Sequence, residues 1–232
     1  GLGRQQVDRP GQRIGGGLVP GHVEGDGVIN REFPSLRRGV AGVQRRDQTT
    51  ANALTWTIYL LAAQPTLQEA VRAEALTALG NGDIDTLDVR LPRLRAVLDE
   101  ALRLYPPAPR LDREAMADDE LADHPVRRGD LVSIWPYILH RHRAWWGEPD
   151  AFDPERFHGD RRASMHRYQY LPFGAGPRVC VGARFAIVEA LIVLAHWLAA
   201  RRFSLRGGPP PVPVARVTLR PEGGMPLAVS PM

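Results

Sequence analysis

The sequence contains no lysine, and all 30 of its basic residues are arginine. This bias is typical of a GC-rich coding sequence rather than of a charged binding surface. Eight arginines accompany five acidic residues in positions 1–47, whereas the remaining chain carries 22 basic and 21 acidic residues. The main body is therefore nearly balanced in charge. It lacks the basic stripe with interleaved aromatic residues that is typical of a nucleic-acid surface, so we predict no nucleic-acid partner.

Cysteine is also scarce. Cys180 is the only one, which excludes an internal disulfide bond and an iron–sulfur cluster held by four thiolates. The longest apolar run, residues 185–200, is interrupted by Glu189 and His196 and falls short of the roughly 20 residues that a membrane span needs. We therefore predict a soluble, bacterial-like protein of the cytoplasm, without a membrane segment.

The first 48 residues form an atypical segment rich in glycine and arginine. Positions 1–47 hold 11 of the 23 glycines and show no sustained apolar period. We expect this segment to be disordered or to be translated out of frame. The first methionine is Met116, so no initiator is present, and we expect a fragment of a longer protein. The chain is accordingly divided into residues 1–48 and residues 49–232.

Helical patterns dominate the second part. Apolar residues at helical spacing predict helices over residues 51–63, 66–79 and 91–105. A fourth helix, apolar on nearly all faces, is predicted from just after Cys180 to about Phe203, with Arg201 and Arg202 at its C-terminal end.

Strand patterns are shorter and less numerous. Apolar runs on either side of Arg128-Gly129-Asp130 predict strands and a hairpin of a small sheet within residues 108–134. Glu222-Gly223-Gly224 predicts the turn of a second hairpin over residues 217–229. The chain is therefore predicted to have a mainly α-helical α+β fold with small β-sheets.

The stretch from Phe173 to Ala186 is the strongest functional signal. Its three glycines let the backbone turn and approach a flat ligand closely, and Arg178 supplies a fixed cation two residues before Cys180. The helical pattern that follows places the sulfur at a helix N-terminus, where unpaired N–H groups and the helix dipole stabilise negative charge. A thiolate in that position is suited to bind a metal. Each feature alone is common, since a lone cysteine is usually a small buried apolar residue.

Five residues of this stretch, Phe173, Gly176, Arg178, Cys180 and Gly182, fit the pattern Phe-x-x-Gly-x-Arg-x-Cys-x-Gly. The pattern resembles the cysteine-ligand loop of the cytochrome P-450 family, the haem-thiolate monooxygenases. Residues 98–107 resemble the family's Glu-x-x-Arg helix, and Phe-Asp-Pro-Glu-Arg-Phe at 152–157 resembles the segment that supplies its third partner. The resemblance covers about residues 49–232, which implies the C-terminal haem-binding half of that family's fold, in an incomplete form.

The resemblance implies a role for each matching residue around haem b, iron protoporphyrin IX. Cys180 is expected to be the axial ligand of the iron, Phe173 to shield its sulfur, and Gly182 to complete the loop. Arg178 and Arg113 are expected to pair with haem propionates, although a solvated cation at a sheet edge is an equal alternative for Arg113. A haem contact is also expected for His140. Glu100, Arg103 and Arg156 are expected to form a buried charged triad that supports the fold and takes no part in the chemistry.

Thr49 is the candidate catalytic residue. Residues 49–56 resemble the family's long distal helix, where the order Ala-Gly-x-acid-Thr is usual and the acid and threonine help deliver protons to bound oxygen. Here Gln48 occupies the acid position, and Arg45-Arg46 stand where Ala-Gly is expected. The resemblance therefore implies a role for Thr49 and leaves the acid unassigned.

The implied function is insertion of oxygen into a small hydrophobic organic substrate by a haem-thiolate monooxygenase. The reaction takes O₂, and it takes electrons from a separate donor, either a ferredoxin or a flavin reductase, because the sequence shows no flavin-binding or iron–sulfur pattern of its own. Two alternatives stay open. One is a catalytically inactive, truncated remnant; the other is a haem-binding sensor or carrier, for which Gln48 in place of the acid leaves room.

Overall fold

The computed structural model describes residues 38–80 and 86–232, and for residues 38–47 it describes the backbone only. The chain divides into two units, Gly1–Ala41 and Gly42–Met232. Of the first unit only residues 38–41, the start of a helix, are described. The expectation of disorder or a shifted frame in residues 1–48 therefore falls largely outside the described residues. The features below belong to the second unit.

Helices make up most of the regular structure. They are α1 (Arg38–Ala62), α2 (Pro65–Gly80), α3 (Pro92–Leu104), α4 (Pro136–Leu139), α5 (Gly159–Ala163) and α6 (Ala183–Ala200). Single 3₁₀ turns lie at Leu87–Arg90, Pro154–Phe157 and Gly176–Arg178. Pro65, Pro92 and Pro136 each occupy the first turn of a helix, where the missing N–H leaves no hydrogen bond unmade. The prediction of a mainly helical α+β fold is confirmed.

The predicted helices are present with shifted ends. The helix predicted over 51–63 is the second half of α1, which begins at Arg38. The helices predicted over 66–79 and 91–105 are α2 and α3, with ends within a residue of the prediction. Ends shift little where a proline marks them, because proline fixes the start of the helix and stops the preceding turn.

The core lies between α1, α2, α3 and α6. Leu191, Leu194 and Leu198 line the buried side of α6 and are completely shielded from solvent. They pack with buried residues of the other three helices in one apolar cluster. Each fully buried leucine stabilises the fold by about 1.5–3 kcal/mol relative to an exposed one. The long apolar helix predicted after Cys180 is therefore the central element of the core.

By length and composition alone, α6 is also long and apolar enough to cross a membrane, the only such helix among the described residues. One third of it is buried within the chain. It packs on α2 and α3, as a core helix does.

Within the described residues, eight short strands form four antiparallel pairs. They are β1 (Leu111–Glu114), β2 (Asp119–Leu121), β3 (His124–Val126), β4 (Leu131–Ile134), β5 (Arg201–Leu205), β6 (Pro213–Ala215), β7 (Leu219–Pro221) and β8 (Leu227–Pro231). The predicted strands within 108–134 are present, with β1 paired to β4 around the β2–β3 hairpin. Ala122 and Asp123 form that hairpin's two-residue turn, both at positive φ, which matches the right-handed twist of the strands.

Two predictions at the C-terminal end are wrong. The helix stops at Ala200, and Arg201 and Arg202 begin strand β5 instead of ending α6. The hairpin predicted over 217–229 does not form, because β7 pairs with β6 and β8 pairs with β5. The turn of Glu222-Gly223-Gly224 is real, with both glycines at positive φ, but it connects strands of two different sheets.

Candidate functional site

The Cys180 loop, residues 173–182, connects the segment before it to α6. The carbonyl oxygen of Phe173 accepts the N–H of Cys180 at 3.0 Å, and Gly176 O accepts the N–H of Val179 at 3.0 Å. Gly174 and Gly176 both have positive φ, +74° and +71°, which only glycine adopts at little cost. A Cβ on Gly174 would also lie 3.4 Å from the side chain of Leu111. The loop conformation is therefore fixed by its glycines and by the bond between Phe173 and Cys180.

Gly182 lies beside the sulfur of Cys180 at the start of α6. It is the N-cap residue of α6, and a Cβ added to it would lie 3.9 Å from Cys180 Sγ. The carbonyl oxygen of Cys180 accepts the N–H of Ala183, the first residue of the helix, at 3.2 Å. The thiol, which is solvent-exposed, consequently lies beside the start of α6, as the sequence predicted.

A cavity of about 250 Å³ lies against this loop. Its polar lining consists of Thr49 and Thr50 from α1 and of Arg178 and Cys180 from the loop. The rest of the lining is apolar. It comes from α1, α3, the chain from α3 to the start of β1, the beginning of the Cys180 loop with the residue before it, and α6: Ala53, Leu98, Leu102, Pro107, Ala108, Leu111, Pro172, Phe173, Ala186, Ile187 and Ala190. Thr49, Phe173, Arg178 and Cys180, four of the predicted site residues, thus line one cavity.

The lining suits an iron porphyrin. A macrocycle needs an apolar enclosure, its iron takes a thiolate, and its carboxylates pair with a guanidinium. Cys180 and Arg178 supply the last two groups, and alanines on α1 and α6 leave space where larger side chains would fill it. The residues present therefore fit haem by their chemistry.

The predicted triad is assembled and buried. Arg103 Nε donates to Glu100 Oε2 at 2.6 Å and Arg103 Nη2 donates to Glu100 Oε1 at 2.8 Å, a bidentate pair with no exposed side-chain area. Arg156 Nε lies 3.5 Å from Glu100 Oε1. Glu100 Oε1 also accepts the N–H of Asp153 at 2.9 Å, which joins α3 to the Pro154–Phe157 turn.

Arg103 also holds the backbone around the triad. Its Nη1 donates to the carbonyl oxygens of His140 and Pro149, at 2.8 and 2.6 Å, and its Nη2 donates to Ala151 O at 2.9 Å. The planar guanidinium thereby binds three backbone carbonyl oxygens in a fixed geometry. A lysine at this position could not reproduce that geometry.

Arg113 and His140 do not line the cavity. Arg113 lies on β1, exposed, and its Nη1 donates to Asp112 O at 2.7 Å. It shares one face of the strand with Leu111, which does line the cavity, so its role toward haem stays a prediction. His140 is completely buried, and its two ring nitrogens bond to backbone groups of Leu171 and Arg103.

Some lining residues were missed by the sequence. Leu98 and Leu102 were identified only as the apolar face of α3, although their i,i+4 spacing places them together on the cavity wall. Thr50 was also missed; its hydroxyl donates to Glu189 Oε2 on α6 at 3.4 Å. That contact joins residues 139 positions apart, so no local pattern could reveal it.

A cysteine loop at the start of a core helix, facing an apolar cavity and backed by a buried Glu–Arg–Arg cluster, defines the class of haem-thiolate proteins. The comparisons with known proteins agree. A family model described as Cytochrome P450 matches residues 42–227. The chain therefore belongs to the cytochrome P450 family.

The relatives are diverse. The chain is 38% identical over 190 residues to a cytokinin hydroxylase of Arabidopsis thaliana, covering 80% of this chain and 36% of that protein. It is 39% identical over 193 residues to cytochrome P450 734A5 of Oryza sativa subsp. japonica, covering 80% and 35%. It is 34% identical over 187 residues to cytochrome P450 4B1 of Rattus norvegicus, covering 79% and 37%. The chain spans about a third of the length of these relatives.

Proposed function

We propose that this chain is the haem-binding part of a monooxygenase that inserts one oxygen atom into a small hydrophobic organic substrate. The observation that carries the proposal is the single apolar cavity that Cys180, Arg178, Phe173 and Thr49 line together. Membership of the cytochrome P450 family supports it.

Each residue has a defined task in this proposal. Cys180 Sγ ligates the iron, and Arg178 pairs with a propionate of haem b. Phe173 excludes water from the sulfur, and Gly182 completes the loop that holds Cys180. Arg113, on the same face of β1 as Leu111, pairs with the second propionate. The haem, when bound, would supply the activation of O₂, which is the source of the oxygen atom that enters the substrate.

Thr49 Oγ1 is proposed to hold a proton at the cavity. Gln48 beside it cannot serve as a proton-transferring acid, because its side-chain amide donates hydrogen bonds but does not ionise in the physiological range. The electrons are proposed to come from a separate ferredoxin or flavin reductase. Location in the cytoplasm stays a prediction.

A chimera tests the proposal most directly. We would graft residues 49–232 onto the N-terminal part of the Arabidopsis cytokinin hydroxylase, reduce the product and add carbon monoxide. The expected result is the Soret band of a thiolate-ligated haem, absent in the Cys180→Ser chimera and retained in an Ala200→Ser control, since Ala200 is exposed at the end of α6. A folded chimera that binds haem without the thiolate band would refute the role of Cys180.

A catalytically inactive remnant is the second candidate. It is favoured by the sequence just before Thr49, where Gln48 occupies the acid position and Arg45-Arg46 stand where Ala-Gly is expected. The chimera distinguishes the two, because a remnant with a degenerate site would show no substrate turnover even in the completed fold. A sensor or carrier, favoured by Gln48, would bind haem in the chimera and fail to turn over with a surrogate electron donor.

A further inference from the structure

His140 lies outside the cavity and yet connects two parts of the site. It is the C-cap residue of α4, and its side chain is completely buried. Its Nε2 accepts the N–H of Leu171 at 2.8 Å, and its Nδ1 lies 3.3 Å from the carbonyl oxygen of Arg103. Since a backbone N–H only donates and a carbonyl only accepts, the network assigns the neutral ring with the proton on Nδ1.

The backbone of His140 strengthens one side of this connection. Its carbonyl oxygen accepts from Arg103 Nη1 at 2.8 Å. Arg103 therefore binds His140 twice, through its guanidinium and through its own carbonyl oxygen. These two hydrogen bonds fix His140 beside Arg103 of the triad.

Leu171 leads directly into the Cys180 loop. Pro172 and Phe173, the next two residues, line the cavity, and Phe173 O accepts the N–H of Cys180 at 3.0 Å. The neighbouring Tyr170 is tied to α3 as well, because its hydroxyl donates to Asp99 at 2.9–3.0 Å. The stretch that precedes the cysteine loop is thus attached to the structure around α3 at two successive residues.

We propose that His140 is a positioning residue for Cys180. Its neutral imidazole joins the Glu100–Arg103–Arg156 triad to the segment that leads into the cysteine loop. The description of that loop as the ligand loop rests on the proposed function. The connection itself rests on the bonds at Leu171, Arg103 and Phe173. Burial lowers the pKa of His140 from 6.5 to about 3, which keeps the ring neutral at physiological pH and preserves the acceptor at Nε2.

Two amide variants separate the two ends of this connection. A glutamine side chain extends far enough to place its oxygen near the position of Nε2, so His140→Gln keeps an acceptor for Leu171. Asparagine is shorter and places its amide near the position of Nδ1, so His140→Asn keeps a donor for Arg103 and loses the acceptor for Leu171. A residue that only fills space would respond alike to both changes.

The experiment measures amide hydrogen exchange by NMR on the full chain without haem. In His140→Asn we expect the amides of Leu171 and Cys180 to lose about tenfold or more of their protection, as for a hydrogen bond left unmade. In His140→Gln they should stay within about threefold of the parent chain. The amide of Leu194, in the core of α6, is the reference and should change little in either variant.

Several outcomes would overturn the proposal. If the amides of Leu171 and Cys180 are equally protected in His140→Gln and His140→Asn, the bond to Leu171 does not position the loop. If His140→Asn fails to fold, the ¹⁵N chemical shifts of the His140 ring in the parent chain test the proposal instead. A proton on Nδ1 and none on Nε2 supports it, and the opposite tautomer refutes it. None of these measurements involves haem, so their failure leaves the test of Cys180 as a ligand untouched.

Discussion

At the scale of single residues, the triad is the part of the site on which the fold depends most. Glu100 is a buried carboxylate between two guanidinium groups, with both of its oxygens bonded to Arg103 or Asp153. Exposed ion pairs contribute little to stability, but removing one partner of a buried pair leaves an uncompensated charge. The energetic weight of the triad therefore depends on its burial rather than on its charge.

Glu100→Gln should lower the free energy of unfolding by about 3–5 kcal/mol, because Arg103 would remain buried without a counter-charge and Arg156 would keep only Asp153, whose Oδ2 lies 3.8 Å from its Nε. Urea unfolding at neutral pH measures the change. Glu155→Gln is the matched control, since the Glu155 side chain is 66% exposed and bonds only to neighbouring groups at the surface. Equal effects of the two substitutions would contradict the stabilising role of the triad.

His140 predicts a dependence of stability on pH. Its pKa is about 3 in the folded chain, mainly through burial and also through the charges of Arg103 and Arg141, against an ordinary value of 6.5. Tyr170, 5.3 Å from the ring, has a pKa raised well above 10 and stays uncharged in this range. Between pH 6.5 and 3 the unfolded chain therefore binds one more proton than the folded chain.

The contribution of His140 is complete above pH 6.5 and is lost as the pH falls toward 3, by up to about 1.4 kcal/mol per pH unit. Urea midpoints at pH 7, 6 and 5 for the parent chain and for His140→Gln measure it. The variant, whose amide does not titrate, should lose stability less steeply. Parallel slopes would show that folding does not lower the pKa of His140.

The sequence predicted the residues that belong to a family motif, and it failed for contacts that lie outside any motif. Cys180, Arg178 and Phe173 lie within eight residues of one another, and Glu100 and Arg103 are three apart. The resemblance of these two segments to motifs of the cytochrome P450 family indicated their roles, whereas the spacing of Glu100 and Arg103 alone is typical of an exposed ion pair. The imidazole of His140 instead meets partners 31 and 37 residues away. Its bonding could not be predicted, because it depends on where α3 and the loop lie after packing.

At the scale of elements, the same distinction separates helices from sheets. Helix α3 is determined by its own apolar spacing and by the prolines that flank it, and its ends were predicted closely. Strand β8 pairs with β5, 22 or more residues earlier in the chain, although β7, which lies just before the predicted turn, is nearer in sequence. Strand pairing depends on which edge is available after the helices have packed, and no local pattern encodes that edge.

Gln68 shows how α2 and the β5–β8 sheet are joined. Its amide exchanges two hydrogen bonds with the backbone of Phe203, both of 2.9 Å, and also donates to Leu61 O at 3.2 Å. The side chain is buried, so it takes the place that a neighbouring strand would have beside β5. The buried N–H and C=O groups at this edge of the sheet thus need a polar side chain as their hydrogen-bond partner.

Gln68→Leu should destabilise the chain by about 2 kcal/mol or more, because the N–H and C=O of Phe203 would be left without partners. The control is Gln64→Leu, four residues earlier and exposed, for which a change within about 0.5 kcal/mol is expected. Chemical unfolding gives both values, and hydrogen exchange at the Phe203 amide locates the effect. A loss confined to Gln64→Leu would contradict this account.

At the scale of the whole molecule, α6 presents unequal faces. Leu191 is completely buried in the core, whereas Phe185, six residues earlier on the same helix, is 71% exposed. Leu191→Ala should cost about 2–5 kcal/mol, and Phe185→Ala less than about 1 kcal/mol, in the isolated chain. Thermal or urea unfolding of the two variants compares them directly. A large loss in Phe185→Ala would mean that this face of the helix is covered in solution.

The isolated chain should bind haem weakly and show little or no turnover. The cysteine is solvent-exposed beside a cavity of about 250 Å³, and the chain spans about a third of the length of its relatives. Cofactor affinity depends on the apolar surface that encloses the porphyrin ring. A site that covers less of the ring should therefore release haem faster. The ratio of haem to protein after gel filtration, compared with the chimera that carries a relative's N-terminal part, measures the difference. Equal retention, with equal turnover from a surrogate electron donor, would show that these residues form a complete site by themselves.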